Sequence, residues 1–136
     1  MRLSLCAVTL TALVACSDGG GGFVTMTGVR VNSVNADVFE VIARPDNEVN
    51  QLWCGAGEYA RRALGAAVND RVYVVSGGGP AVTTKAPSSA QFSLKPPAQV
   101  TGATGHKSYW GPRVGRSKFV ADASSSCGLQ AGQFPL

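Results

Sequence analysis

The chain holds a single histidine, His106, and charged side chains make up only 15% of its 136 residues. One imidazole does not supply the three or four ligands of a mononuclear metal site, so no metal and no cofactor are expected. Basic charge is also thin. With Arg2 removed in a leader, 11 of the 12 basic groups remain against 8 acidic ones, for a net charge of +3 instead of +4. That is far from the dense basic stripe of a nucleic-acid binder, and nucleic acid is excluded as a partner. No internal repeat is present, and no Gly-Lys-Ser/Thr spacing of a phosphate loop. A chain this short has room for one domain with a modest core, for which a covalent staple is expected.

What is present begins at the amino terminus. Met1-Arg2 is a minimal positive region, and Leu3 to Ala15 is an apolar stretch shorter than the roughly 20 residues needed to span a bilayer. It reads as a signal peptide over residues 1–15. Leu13-Val14-Ala15-Cys16 resembles the lipobox of bacterial lipoprotein precursors. The resemblance implies a diacylglyceryl thioether on Cys16 as the new amino terminus and a membrane held through that lipid. It further implies a location in the cell envelope facing the periplasm, with Ser17 favouring the outer membrane over the inner. The glycine-rich run of residues 16–22 then serves as a flexible tether. The alternative is an ordinary secretory leader cut after Ser17, between small residues, which leaves a soluble product.

The mature part reads as α+β, a small and mostly antiparallel sheet with one long helix in the order ββαββ over residues 23–97. Residues 98–136 form an irregular, basic, Gly/Ser-rich tail. Phe23 to Val31 and Val38 to Ile42 alternate and are rich in β-branched residues, as in a hairpin. Asp46 is placed to cap a helix running from Asn47 to Leu64. Along that helix Val49, Leu52, Trp53, Ala56, Tyr59, Ala60, Ala63 and Leu64 recur at helical spacing. Arg61 and Arg62 suit its last turn and Gly65 its left-handed exit. Arg71 to Val75 is a buried-looking strand expected to close at Ser76-Gly77-Gly78-Gly79-Pro80, read as a wide hairpin connection. Ala90 to Leu94 is the next strand, stopped by Lys95-Pro96-Pro97, and Lys118 to Ala121 suits a short further one.

Of the 4 cysteines, Cys6 leaves with the leader and Cys16 is lipidated or removed, so Cys54 and Cys127 remain. An even remainder in an oxidising compartment predicts a disulfide. At 3.6 residues per turn, Cys54 points about 150° from the centre of the Val49/Ala56/Tyr59/Ala63 stripe. It is therefore expected on the outer side of the helix, where the tail bearing Cys127 is the available cover. A free catalytic cysteine and a metal ligand are the other two readings of this residue.

Trp53-Cys54 to Tyr59-Ala60, followed by the Arg71 strand, is similar to the nucleophile helix of transglutaminase-like cysteine peptidases. The resemblance implies a hydrolase or transferase, of that kind or papain-like, with Cys54 as nucleophile, His106 as base and Asp122 as its orienter. The sequence departs from that pattern: the Tyr-Ala pair lies two residues too far from Cys54, the cysteine falls in mid-helix, and His106 sits in a glycine-rich segment. Asp37, Glu40, Asp46 and Glu48 supply no evident acid/base pair, and Ser88-Ser89 and Ser124 to Ser126 read as solvated turns. The one basic and aromatic segment holds His106, Lys107, Tyr109, Trp110, Arg113, Arg116 and Lys118. It suits anionic headgroups, an acidic glycan or a partner's acidic face, unless Trp110 packs on the helix under the disulfide and the cations only stay in water. The mature part also resembles small uncharacterised exported bacterial proteins through Trp53 to Ala56, Tyr59-Ala60 and Gly79-Pro80, a likeness that implies no activity. Together these readings point to a non-enzymatic binding or structural module at the membrane, with an envelope protein or the cell wall as partner.

Overall fold

The computed structural model describes residues 22–45, 48–108 and 110–129. The leader, the lipobox, Asp46 and Tyr109 lie outside the described residues. Among those described, the order is β1 (Phe23–Val24), β2 (Arg30–Ser33), β3 (Phe39–Ile42), α1 (Glu48–Arg62), β4 (Arg71–Gly79), β5 (Ser89–Ser93), β6 (Ser117–Phe119) and α2 (Val120–Ser125). Single turns of 3-10 helix cover Pro97–Gln99 and Ser126–Leu129. The strands form one sheet in the order β1-β2-β3-β5-β4-β6, antiparallel at every step. No described helix is long and apolar enough to cross a membrane.

The α+β class and the antiparallel sheet agree with the expectation, while the ββαββ layout is replaced. The run from Phe23 to Val31 is not one strand. Gly28 takes φ 86°, Thr25 Oγ1 accepts from the Val29 N–H at 2.9 Å, and the Thr25 N–H reaches the Val29 carbonyl. This tight turn splits the run into β1 and β2, so three strands precede α1. The tail is irregular only in part: residues 100–116 carry no helix or strand where described, while residues 117–129 do. β6 extends the sheet beside β4, and α2 follows it directly.

α1 lies with one side on the sheet, where Leu52, Trp53 and Ala56 join Val29, Val31, Phe39, Val41, Val72, Val74, Ala90 and Phe92 in the core. Five aromatic rings run through this layer, from Phe23 to Tyr59, Phe39, Phe92 and Trp53, with successive centroids 5.4, 4.6, 6.2 and 5.4 Å apart. The exit of α1 follows the expectation. Gly65 has φ 68°, and the Ala66 N–H caps the Ala60 carbonyl at 2.9 Å.

The expected apolar stripe is corrected at both ends. Val49 is 45% and Leu64 43% exposed, Ala63 is also exposed, and Gln51, Gly57 and Glu58 are buried. The reason is a second partner: α1 is covered by the sheet on one side and by α2 with the Ser126–Leu129 turn on another. Two glycines make both approaches close. A Cβ on Gly55 would collide with Val41 Cγ1, and one on Gly57 would collide with the Ser124 backbone nitrogen and lie 2.7 Å from the Ala123 carbonyl carbon. Residues two apart on a helix point about 200° from each other, so each glycine serves one layer.

Gly57→Ala gains about 1 kcal/mol of helix propensity, yet its methyl meets backbone that cannot rotate away. Overpacking of this kind costs about 1–3 kcal/mol, and a net loss of stability is expected in urea denaturation. Gly128→Ala, whose Cβ meets nothing within 4 Å, should leave the midpoint unmoved. An unchanged midpoint for Gly57→Ala would mean that α2 does not pack where the structure places it.

Candidate functional site

Cys54 and Cys127 are joined by a disulfide that spans 73 residues, with Cα atoms 4.7 Å apart. Cys54 is fully buried, so the non-core expectation is corrected, while the expected cover is found: the carboxyl-terminal segment that bears Cys127 packs over this side of α1. Thr27 Oγ1 lies 3.6 Å from its sulfur. Glu58, one turn further along α1, brings a carboxylate oxygen within 4.8 Å of both sulfurs. That carboxylate is already engaged, accepting from Arg62 Nη1 at 3.1 Å and from the Met26 N–H at 3.3 Å. With the two sulfurs bonded to each other, the trio is not a thiolate metal site as it stands.

The structure does not bring Cys54 and His106 together. His106 runs along the outer edge of β4, where its carbonyl accepts from the Gly77 N–H at 2.7 Å and its own N–H donates to Ser76 Oγ at 3.1 Å. Asp122 stands exposed in the first turn of α2.

The glycine run after Ser76 belongs to β4 and is not a hairpin connection, a correction that explains its composition. A Cβ on Gly77 would lie 2.7 Å from the His106 carbonyl oxygen, and one on Gly78 would lie 2.5, 2.6 and 2.7 Å from three ring atoms of Trp110. Glycine in a strand commonly marks such an approach by another part of the chain. The pairing of β4 with β5 shifts register on both sides of Ser76, as a bulged strand does. Trp110 accordingly lies on the backbone of Gly78 and is 36% exposed. Gly111, with φ 77°, follows it past Gly78 towards Leu52 of α1.

Beyond this crossing, the predicted basic residues gather. A groove of about 270 Å³ is lined by Trp53, Gly111, Pro112, Arg113, Arg116, Ser117 and Lys118. The Lys118 ammonium sits 4.8 Å above the Trp53 ring, a cation–π contact that holds a long side chain in place. A second hollow of about 460 Å³ is lined by Lys107, Ser108, Arg113 and Val114, so Arg113 borders both. Among the described residues, no carboxylate lines either hollow, and the ion pairs found are Arg62–Glu58 and Lys95–Asp37. The geometry thus lines the two hollows with Lys107, Arg113, Arg116 and Lys118, none of them in an ion pair with a described carboxylate.

A buried polar cluster on the other face of the sheet escaped the sequence reading. Alternation in β3 sends Phe39 and Val41 to the helix and Glu40 to the opposite face. There Glu40 is fully buried, because residues 80–88 fold over it. It accepts from Thr83 Oγ1 at 2.6 Å, from the Val82 and Thr83 N–H groups, and from Gln91 Nε2 at 3.0 Å. Gln91 Oε1 in turn accepts from the Thr104 N–H, and Thr104 shares a hydroxyl contact with Ser76. Burial pushes the Glu40 pKa up, but the hydrogen bonds from Thr83, Val82 and Gln91 outweigh it, and the carboxyl titrates below its ordinary value. The serines expected in solvated turns are corrected in the same region and beyond: Ser89 is buried in β5 with its hydroxyl on the Gly79 carbonyl, and Ser126 is buried at the end of α2.

Comparison with known proteins finds no matching family model, no matching curated protein and no matching solved structure, so the reading of this site rests on its own chemistry.

Proposed function

We propose that this chain is an exported envelope protein, anchored through a lipid on Cys16, whose disulfide-closed domain is a non-enzymatic binding module facing the periplasm from the outer membrane. The observation that carries the binding role is the pair of hollows sharing Arg113, cationic and without a carboxylate in their described lining. Unpaired cations at one place raise the local concentration of anionic partners and steer their approach. The Leu13 to Cys16 motif supports the anchor, and the glycine-rich segment after it supports a domain held off the bilayer. The Cys54–Cys127 bridge supports an oxidising compartment. It also supports a structural role for Cys54 in place of nucleophile chemistry, since a sulfur in a disulfide is not a thiolate.

Intact-mass and non-reduced peptide mass spectrometry of the protein isolated from its own membranes tests the anchor and the bridge together. The expected result is a mature chain that begins at Cys16 with acyl chains attached and has no free thiol before reduction. A mature chain that begins after Cys16 removes the anchor. A Cys54 that reacts with a thiol reagent in the native, unreduced protein removes the inert module and restores the hydrolase.

A further inference from the structure

The exposed indole of Trp110, next in the chain to Gly111 of the smaller groove, narrows the class of partner. The three Trp110 ring atoms nearest Gly78 lie at almost equal distances, 2.5, 2.6 and 2.7 Å, from the position where a Cβ would stand. Such equality places that point over the face of the ring, so the indole lies flat on the strand and is not edge-on to it. Gly78 is what permits this, since any side chain there would lift the ring. One ring face is therefore supported by backbone while the side chain keeps 36% of its exposure. A flat, supported aromatic face is suited to a flat, C–H-bearing disc, because the electron-rich face attracts polarised C–H groups and both surfaces are rigid before they meet.

The cations stand on both sides of Trp110 in the chain, Lys107 before it and Arg113, Arg116 and Lys118 after it. Arginine pairs with a carboxylate through two parallel N–H donors. We propose that this surface binds an acidic polysaccharide, with Trp110 stacking on a pyranose ring and Arg113 holding a ring carboxylate between the two hollows. The proposal rests on the binding reading above and gives it a ligand class. A bilayer fits less well, because an indole pinned flat on a strand does not project into lipid and because the cations line concave surfaces. An acidic protein helix fits less well too, since hollows of about 270 and 460 Å³ are small beside a helix some 10 Å across.

The test uses the full mature chain and four probes: an oligogalacturonate hexamer, a neutral hexasaccharide, inorganic polyphosphate of matched charge, and vesicles containing phosphatidylglycerol. Binding is read by calorimetry and by indole fluorescence. The hexauronate is expected to bind and quench fluorescence, at least tenfold more tightly than the neutral sugar. Its affinity should fall at least tenfold in Trp110→Ala and in Arg113→Gln, with circular dichroism unchanged. Gly78→Ala, which keeps the indole but displaces it, should lose affinity as well. Polyphosphate should bind more weakly and be indifferent to Trp110→Ala. No hexauronate binding, binding unaffected by Trp110→Ala, or vesicles bound in preference would each overturn the proposal. Photo-crosslinking from position 113 in intact envelopes separates the two failures. A defined crosslink to a protein overturns the glycan while keeping the binding module, whereas no crosslink together with no hexauronate binding overturns both.

Discussion

Replacing Cys54 and Cys127 together by alanine should lower the stability of the chain by about 4 kcal/mol, or roughly 15 °C in melting temperature. The figure follows from the 73 residues that the bridge encloses, whose closure no longer restrains the unfolded chain. It is an upper estimate, because a reduced unfolded chain keeps some residual structure. Against a total stability of about 5–15 kcal/mol for domains of this kind, the loss is large. It is also localised. α2 is only six residues long, Val120 to Ser125, far below the length at which a helix holds itself in water. What keeps it formed is its packing on α1, with Ala123 and Val120 fully buried, and the sulfur bond one residue beyond Ser126. Amide exchange in residues 120–129 should therefore accelerate before exchange in the sheet. Reduced wild-type protein and the double variant should share one denaturation midpoint. A midpoint that does not move on reduction would show that the carboxyl-terminal segment is held by packing alone.

The same bridge shows what could be read from the residues and what could not. Parity among the cysteines pointed to the pair, because it needs only a count and a compartment. α1 was legible from its 3.6-residue periodicity and from Gly65, and β3 and β5 from alternation, since these signals are local. The face opposite the sheet was harder. Gly57 and Gly55 weaken a helix in isolation, and their purpose appears only when α2 and Val41 are in place on either side. The glycines of β4 were mistaken for a turn for the same reason: their cause is Trp110 and His106, some thirty residues away. The basic residues of the candidate groove could be named from their clustering in the chain, but not the flat seating of the indole on Gly78. Glu40 had no signal beyond its place in the alternation, because the segments that bury it carry no regular secondary structure.

Glu40→Ala should cost about 3 kcal/mol or more, in the range found when one member of a buried, hydrogen-bonded charge network is removed. The carboxylate accepts from the Val82 and Thr83 N–H groups, and it also takes the Thr83 hydroxyl and the Gln91 amide. Truncation would strand these donors under residues 80–88. Glu40→Gln should cost less, because its carbonyl still accepts from Thr83, although its amide faces donors where an oxygen stood. The two variants also differ from wild type in their response to acid. Since hydrogen bonding holds the folded pKa below the ordinary value, the charged form stabilises the fold. That contribution is present in full above the unfolded glutamate's pKa of about 4.3. It declines as pH falls below that value and is gone once pH passes the lower folded pKa. Denaturation midpoints for wild type and Glu40→Gln should thus converge as the solution is acidified through this window and stay separated at neutral pH. Parallel curves from pH 7 to pH 2.5 would show that the fold does not shift the Glu40 pKa, and a wild type that gains on Glu40→Gln as the solution is acidified would show a carboxyl kept neutral by burial.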